Sequence, residues 1–291
     1  MNILLATLCL NEMEWLPALY EQHRDWPGVT NWVFVEAVDR VYANTNPQMV
    51  TQKGLSVDGT SNYLQKLASR NSGVIYIPHG FTEHEKPDQG KCAARQRYLK
   101  VAEAVEPDFI FVIDADEFYT REDQKRIQVL METANPEHTA FCFPHTHPWR
   151  PPSISYKSLF GLGVYGGFWD IGFVRGWRWQ SGCCYRANHN HIETSEGGNL
   201  KEDADGNDAM LDYRGCSYKE CPTCVHMGFT ASLGTRKPKH LYYAARGEGH
   251  GDGRGLHVKS REAFETWQPG VALPGGANVR DYKGPIPECF R

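Results

Sequence analysis

No apolar run in the chain reaches the roughly 18–20 residues that a membrane-spanning helix needs. A helical membrane span is therefore excluded. Excess positive charge is also missing. The 31 Lys and Arg stand against 35 Asp and Glu, a formal net charge of −4. That excludes a protein that coats nucleic acid through a broadly basic surface, although a local basic patch remains compatible. No internal repeat of structural period is found. The nine cysteines are an odd number, so complete internal pairing is impossible, and in 291 residues they do not suggest a disulfide scaffold. Cys9, Cys92 and Cys142 sit in apolar or helical settings and read as buried thiols. The apolar start, Met1 to Leu10, has no basic residue before it and no small-residue cleavage site after it. It reads as a β-strand of the mature protein, and the expectation is a cytoplasmic protein. What the chain does have is 41% hydrophobic and 23% charged residues, ordinary for a soluble enzyme with a full core.

The first ~120 residues alternate strand-like and helical stretches. Ile3–Leu8, Trp32–Val35, Val74–Ile77 and Phe109–Ile113 are apolar runs of strand length. Glu12–His23, Ser61–Ser69 and Gln89–Val105 are helical in pattern. Continuous apolar strands separated by helices imply an α/β fold with a mostly parallel sheet covered on both faces. Such sheets bind ligands at the carboxyl ends of their strands, where strand order reverses. Those ends carry Asn11 and Glu12, Glu36 and Asp39, His79, and Asp114 and Asp116. From about Phe141 the periodicity is poor and Trp, Tyr, His, Gly and Cys are frequent, which predicts loops and short strands built onto the sheet. Residues 246–255 carry Gly at every second position, which predicts a segment mobile until a ligand binds.

Phe109–Ile113 runs directly into Asp114-Ala115-Asp116-Glu117. Three acids in four residues at the mouth of a buried strand are costly unless paired. A hard divalent cation, Mn²⁺ or Mg²⁺, relieves that cost through oxygen ligands shared with substrate phosphates. There it would stabilise charge building on a departing diphosphate. The bland alternative is a solvated acidic turn.

At this point three segments, in order, resemble a family-2-type GT-A (Rossmann-like) glycosyltransferase. The first is the opening strand followed by Asn11-Glu12-Met13-Glu14-Trp15-Leu16. The second is the helix Gly90-Lys91-Cys92-Ala93-Ala94-Arg95-Gln96-Arg97-Tyr98-Leu99, similar to the family's G-x-x-x-A-R-N-x-x-L. The third is Phe111-Val112-Ile113-Asp114-Ala115-Asp116-Glu117-Phe118. The resemblance covers about the first 120 residues. It implies a nucleotide-sugar donor, a UDP-sugar first, and transfer to a hydroxyl of a glycan, a protein or a modified nucleic acid. It implies that Thr7, Glu12 and Glu36 frame the uracil or ribose. Lys91 and Arg95, i and i+4 on one helix face, would face the donor. Asp114 would contact ribose or metal, and Asp116 the metal. Asp58-Gly59-Thr60 echoes a family element but comes late, and it is left outside the site. A later His often completes the metal shell in this fold. His226 is the choice, with His189 and His191 as competitors. Residues 1–130 then form the donor half, 131–240 the acceptor-binding and metal-completing half, and 241–291 a flexible Gly- and Pro-rich C-terminal segment.

Cys216, Cys221, Cys224 and His226 also have spacing compatible with structural zinc. A zinc ribbon would show a second C-x-x-C, and none is present. The two metal readings compete for His226. Inverting transfer further requires a base for the acceptor hydroxyl. Asp170, among Phe168, Trp169 and Ile171, is the candidate, with Glu193 and Asp203 as alternatives; the family's usual pattern here is only loosely echoed by Arg175-Gly176-Trp177-Arg178-Trp179. The neighbouring aromatics suit sugar rings, stacked bases or plain core packing. Three other functions stay in view. One is a DNA-modifying glycosyltransferase acting on a hydroxylated base. Another is a nucleotidyltransferase, which would be expected to place a Gly-rich basic loop after the first strand. The third is a zinc-stapled module that binds nucleic acid or glycan.

Overall fold

The computed structural model describes residues 1–82, 87–149, 166–186, 192–194, 200, 210–213, 220–230, 238–239, 242 and 286–290. At 87–88, 147, 149, 166–173 and 229–230 it describes the backbone only. The strands are β1 (Ile3–Cys9), β2 (Val29–Asp39), β3 (Val74–Thr82), β4 (Phe109–Val112), β5 (Glu117–Phe118), β6 (Ala140–Trp149), β7 (Gly166–Arg178), β8 (Met210–Asp212) and β9 (Cys224–His226). The α-helices are α1 (Leu16–His23), α2 (Arg40–Thr45), α3 (Thr60–Arg70), α4 (Pro87–Val105) and α5 (Arg121–Thr133).

The strands form one sheet of order β3-β2-β1-β4-β7-β6-β9-β5, with β8 beside β6. The pairs β3–β2, β2–β1 and β1–β4 are parallel. Beyond β4 the sheet turns mixed, because β7 runs antiparallel to both β4 and β6. The result is the mostly parallel, helix-flanked α/β sheet of a Rossmann-like GT-A architecture. Its chemistry follows from strand alternation. Ile3 and Leu5 enter one apolar cluster with Trp15, Leu16 and Leu19 of α1 and Ile127 and Met131 of α5. Leu4 and Ala6 enter the other with Ala94, Tyr98, Leu99 and Ala102 of α4. Successive side chains on a strand point to opposite faces. A run that is apolar at every position must therefore be covered on both sides.

Helix starts and close approaches have local causes. Thr120 caps α5 by accepting from the Asp123 amide at 3.0 Å, and its hydroxyl donates to Asp123 Oδ2 at 2.7 Å. Asp39 caps α2 by accepting from the Tyr42 amide at 2.8 Å. Gly90 lets α4 approach the ends of β2 and β3. A Cβ there would lie 2.7 Å from Thr82 Oγ1 and 3.0 Å from Asp39 Cβ. Cys9, Cys92 and Cys142 are buried free thiols, as expected.

Two expectations need correction. Among the described residues after about Phe141 the strands are not only short ones, because β6 and β7 are the long antiparallel pair of the sheet, ten and thirteen residues. Both faces of the sheet are covered here, since Phe141 and Phe143 enter one apolar cluster and Ala140, Cys142, Val174 and Trp177 the other, so period-2 patterning is lost. Glu36 does not sit at a strand end either, since β2 continues to Asp39 and encloses it. Helices α2 and α5 have no counterpart in the sequence reading. Among the described residues no helix is long and apolar enough to cross a membrane.

Candidate active site

Strand order reverses between β1 and β4: from β1 the chain steps one way to β2 and β3, then returns to β4 on the other side. A crevice opens at such a switch point, beyond the carboxyl ends of the strands. The Asn11-Glu12 loop leaves β1 there, and Asp114-Ala115-Asp116 leaves β4 there.

The first loop is held tightly. Asn11 has a positive φ of 55°, a conformation that Asn tolerates better than most residues. Its side chain donates to the Met49 carbonyl at 2.6 Å and accepts from the Val57 amide at 2.9 Å. The Glu12 amide donates to Thr60 Oγ1 at 3.0 Å, and the Met13 amide to Asp58 Oδ2 at 2.9 Å. Asp58-Gly59-Thr60, left outside the site by the sequence reading, thus forms part of its wall. Behind it, buried Glu36 accepts from the Ser56 amide at 2.6 Å, from Ser61 Oγ at 2.8 Å and from the Tyr76 hydroxyl. Buried Thr7 Oγ1 accepts from Trp32 Nε1 at 3.0 Å. Two of the three residues named for nucleotide contact, Thr7 and Glu36, therefore face protein partners.

The two aspartates have different surroundings. Asp114 accepts from Arg95 Nη2 at 3.2 Å and from Arg175 Nη2 at 3.1 Å. Burial alone would push its carboxyl up, but the guanidiniums of Arg175 and Arg95 hold it well below the usual carboxylate range. Its side chain is still 35% exposed, so one edge faces the crevice. Arg175 also bridges to Glu117, which lies 3.3 Å from His145 Nε2. Asp116, 7% exposed, has Lys239 Nζ 3.1 Å from Oδ2 and His226 Nε2 3.5 Å from Oδ1. The antiparallel β5–β9 pair places His226 opposite Glu117, and the Met227 amide donates to the Asp116 carbonyl at 2.7 Å. His226 and Asp116 are thus set together by backbone pairing, as the sequence reading grouped them.

Negative charge accumulates on this rim. Burial raises the Glu12 carboxyl well above its ordinary range, and the charges of Asp116, Asp58 and Asp114 raise it further, with Lys239 opposing. Asp116, Asp58 and Asp114 thus lie close enough to Glu12 to act on it, with Lys239 as the cation that opposes them. The donor set suits a hard or borderline cation, a carboxylate oxygen and an imidazole nitrogen within one coordination sphere of each other. Gly228 forms the cradle. A Cβ there would stand 2.6 Å from His226 Cε1 and 2.8 Å from Asp116 Oδ2.

Lys91 is half-buried in α4, one turn before Arg95. Asp170 lies in β7 opposite His145 in register, and its side chain falls outside the described residues. Cys216, His189, His191, Asp203 and residues 246–255 also lie outside them. Among the described residues, the donors close enough to share an ion as a trio are buried Glu117, His145 and Cys224, within 4.8 Å of one another. Cys224 thus turns to Glu117 and His145, and Cys221 belongs to no such group among these residues. Burial and the Glu117 charge push the Cys224 thiol well up. With Arg175 already on Glu117, the trio is a buried polar plug behind Asp114. Arg175 and Gly228 are site residues that sequence reasoning missed, whereas it takes Lys239 only as one of the basic residues, with Arg236 and Lys237, before the Gly-alternating segment that could close over a diphosphate. Arg175 left a trace of its own, a charged residue inside an otherwise apolar and aromatic strand.

No family model matches the chain, and no curated protein matches it. Among solved structures it is similar to Staphylococcus aureus TarS 1-349 in complex with UDP-GlcNAc, at 17% identity and TM-score 0.29, over 52% of this chain and 35% of that one. It is similar to 4-diphosphocytidyl-2C-methyl-D-erythritol synthase at 12% identity and TM-score 0.35, over 61% and 75%. It is also similar to CMP:2-keto-3-deoxy-manno-octonic acid synthetase complexed with CTP, at 12% identity and TM-score 0.30, over 50% and 53%. The matched region spans between 22% and 36% of the TarS chains. Overlaps of this size carry no argument about activity, which has to come from the site itself.

Proposed function

We propose that the chain is a glycosyltransferase that moves a sugar from a nucleoside-diphosphate sugar, a UDP-sugar first, to an acceptor hydroxyl with a divalent cation at Asp116 and His226. The observation that carries this reading is the pairing of Asp116 with His226 over Gly228, on the rim that also carries Glu12 and Asp58. Bound Mn²⁺ or Mg²⁺ would supply Lewis-acid stabilisation of the departing diphosphate.

The chain's own residues supply the rest. Arg95 and Arg175 hold the Asp114 carboxylate ionised and oriented, leaving one edge for a donor hydroxyl such as that of ribose. Of the two contacts expected of Asp114, ribose or metal, this favours ribose, because both of its oxygens already serve guanidiniums. Glu12, braced through its amide by Thr60, would frame the nucleotide. Lys91 and Arg95 add positive charge along α4. Asp170 remains the proposed base, taking the proton of the attacking hydroxyl.

The test is donor hydrolysis over a panel of nucleotide sugars with Mn²⁺, with Mg²⁺ and with EDTA. Turnover is expected with metal and lost with EDTA. Asp116→Ala should abolish it while the circular dichroism spectrum stays that of the folded chain. Turnover that ignores chelation, or an active Asp116→Ala variant, would overturn the reading.

A further inference from the structure

The Asp116 carboxylate is already occupied by a cation of the chain itself. Lys239 Nζ lies 3.1 Å from Oδ2, while His226 takes the other oxygen. Lys239 reaches the site from a stretch anchored on both sides. The Pro238 carbonyl accepts from Asn46 Nδ2 at 3.2 Å, and the Tyr242 hydroxyl donates to Asp39 Oδ2 at 2.8 Å. The Tyr242 ring also meets that of Tyr42 edge-on at 5.5 Å. These anchors lie at the end of β2 (Asp39), in α2 (Tyr42) and just after it (Asn46). The Lys239 side chain is 40% exposed, against 7% for Asp116. The ammonium therefore has somewhere to go, whereas the carboxylate does not.

An ammonium and a dication on one carboxylate repel each other, and a metal would hold the oxygen at about 2.0–2.2 Å with its own hydration shell around it. We infer that Lys239 is an exchangeable counter-cation, seated on Asp116 in the metal-free chain and displaced from it by the divalent cation onto the diphosphate that arrives with the nucleotide. This rests on the metal reading above. Its consequence is coupling. Metal alone displaces the ammonium from Asp116, whereas metal with a nucleoside diphosphate also brings it an anion to pair with. The two ligands should then bind with positive cooperativity that runs through one side chain.

The experiment measures Mn²⁺ binding to the full chain by loss of the free-ion electron paramagnetic resonance signal, with and without UDP, and needs no turnover. Lys239→Gln should bind Mn²⁺ alone about tenfold more tightly than the natural chain, and UDP should improve that binding less. Lys239→Arg, which keeps the charge, should behave like the natural chain. Tyr242→Phe, which releases an anchor and keeps the lysine, should fall between them. Lys239→Gln binding Mn²⁺ with unchanged affinity and unchanged response to UDP, while Asp116→Ala loses the ion, would overturn the exchange and leave the metal site standing. Unchanged Mn²⁺ binding in Asp116→Ala would instead remove the metal reading on which the exchange depends.

Discussion

Replacing Gly228 by Ala adds one methyl group at the point where the proposed ligands meet. The new Cβ would lie 2.6 Å from His226 Cε1 and 2.8 Å from Asp116 Oδ2, whereas ordinary contact begins near 3.4 Å. The imidazole must therefore retreat by about 0.8 Å and the carboxylate oxygen by about 0.6 Å. Both atoms are side-chain tips, and Gly228 is not among the glycines with positive φ. The backbone accepts Ala, and the overpacking cost stays within about 1–3 kcal/mol. At about 2–4 °C per kcal/mol, the melting temperature should fall by only a few degrees. Metal geometry is far less forgiving, since ligand distances hold to about ±0.2 Å. Mn²⁺ affinity should drop by about 10–100-fold, the range seen when support of a metal ligand is disturbed. Isothermal titration with Mn²⁺, paired with a thermal melt, separates the two effects. Unchanged Mn²⁺ affinity in a folded variant would refute the assignment of Asp116 and His226. Outright unfolding would show that Gly228 serves the fold and not the site.

Two further predictions concern the framework of the site. His23 Nδ1 lies 2.9 Å from the Leu19 carbonyl, and its Nε2 accepts from the Tyr119 amide at 3.1 Å, which requires the neutral ring. Burial pushes its pKa down from 6.5 to about 4. The stabilisation is complete above pH 6.5 and is lost as pH falls from there to about 4, approaching roughly 3 kcal/mol. Urea midpoints at pH 7.5 and 4.5 should show this fall in the natural chain and a smaller one in His23→Gln; equal falls would refute it. Glu36→Gln turns an acceptor of three donors into a group with an NH₂ facing some of them. It should cost about 1–3 kcal/mol and speed amide hydrogen exchange at residues 56–60. Unaltered exchange there would show that Glu36 does not hold the loop.

The chain's own pattern made the donor side of the crevice legible. Apolar runs at Ile3, Trp32, Val74 and Phe109 mark the four parallel strands, buried in β1, β4 and most of β2 and half-buried in the edge strand β3, because their length and flanking helices favour strands covered on both faces. Acids placed just after such runs mark a rim. The mixed half was harder. In β6 and β7 the register is set by pairing with β4, β8 and β9, strands distant in sequence, and no local period records that. Glu36 shows the same limit from the other side. A carboxylate in strand β2 is tolerated only because Ser56, Ser61 and Tyr76 converge on it, and that convergence is invisible along the chain.

By itself, then, the sequence determined an α/β sheet with carboxylates gathered at the ends of its strands. Asp114 and Asp116 look alike there, two acids separated by one alanine. Only the tertiary structure tells them apart. The pairing of β4 with β7 and the packing of α4 bring two guanidiniums to the first, while the pairing of β5 with β9 brings an imidazole to the second and a distant lysine joins it. The role of a carboxylate depends on the charges within a few ångströms of it, and here those charges come from residues 19 to 123 positions away along the chain.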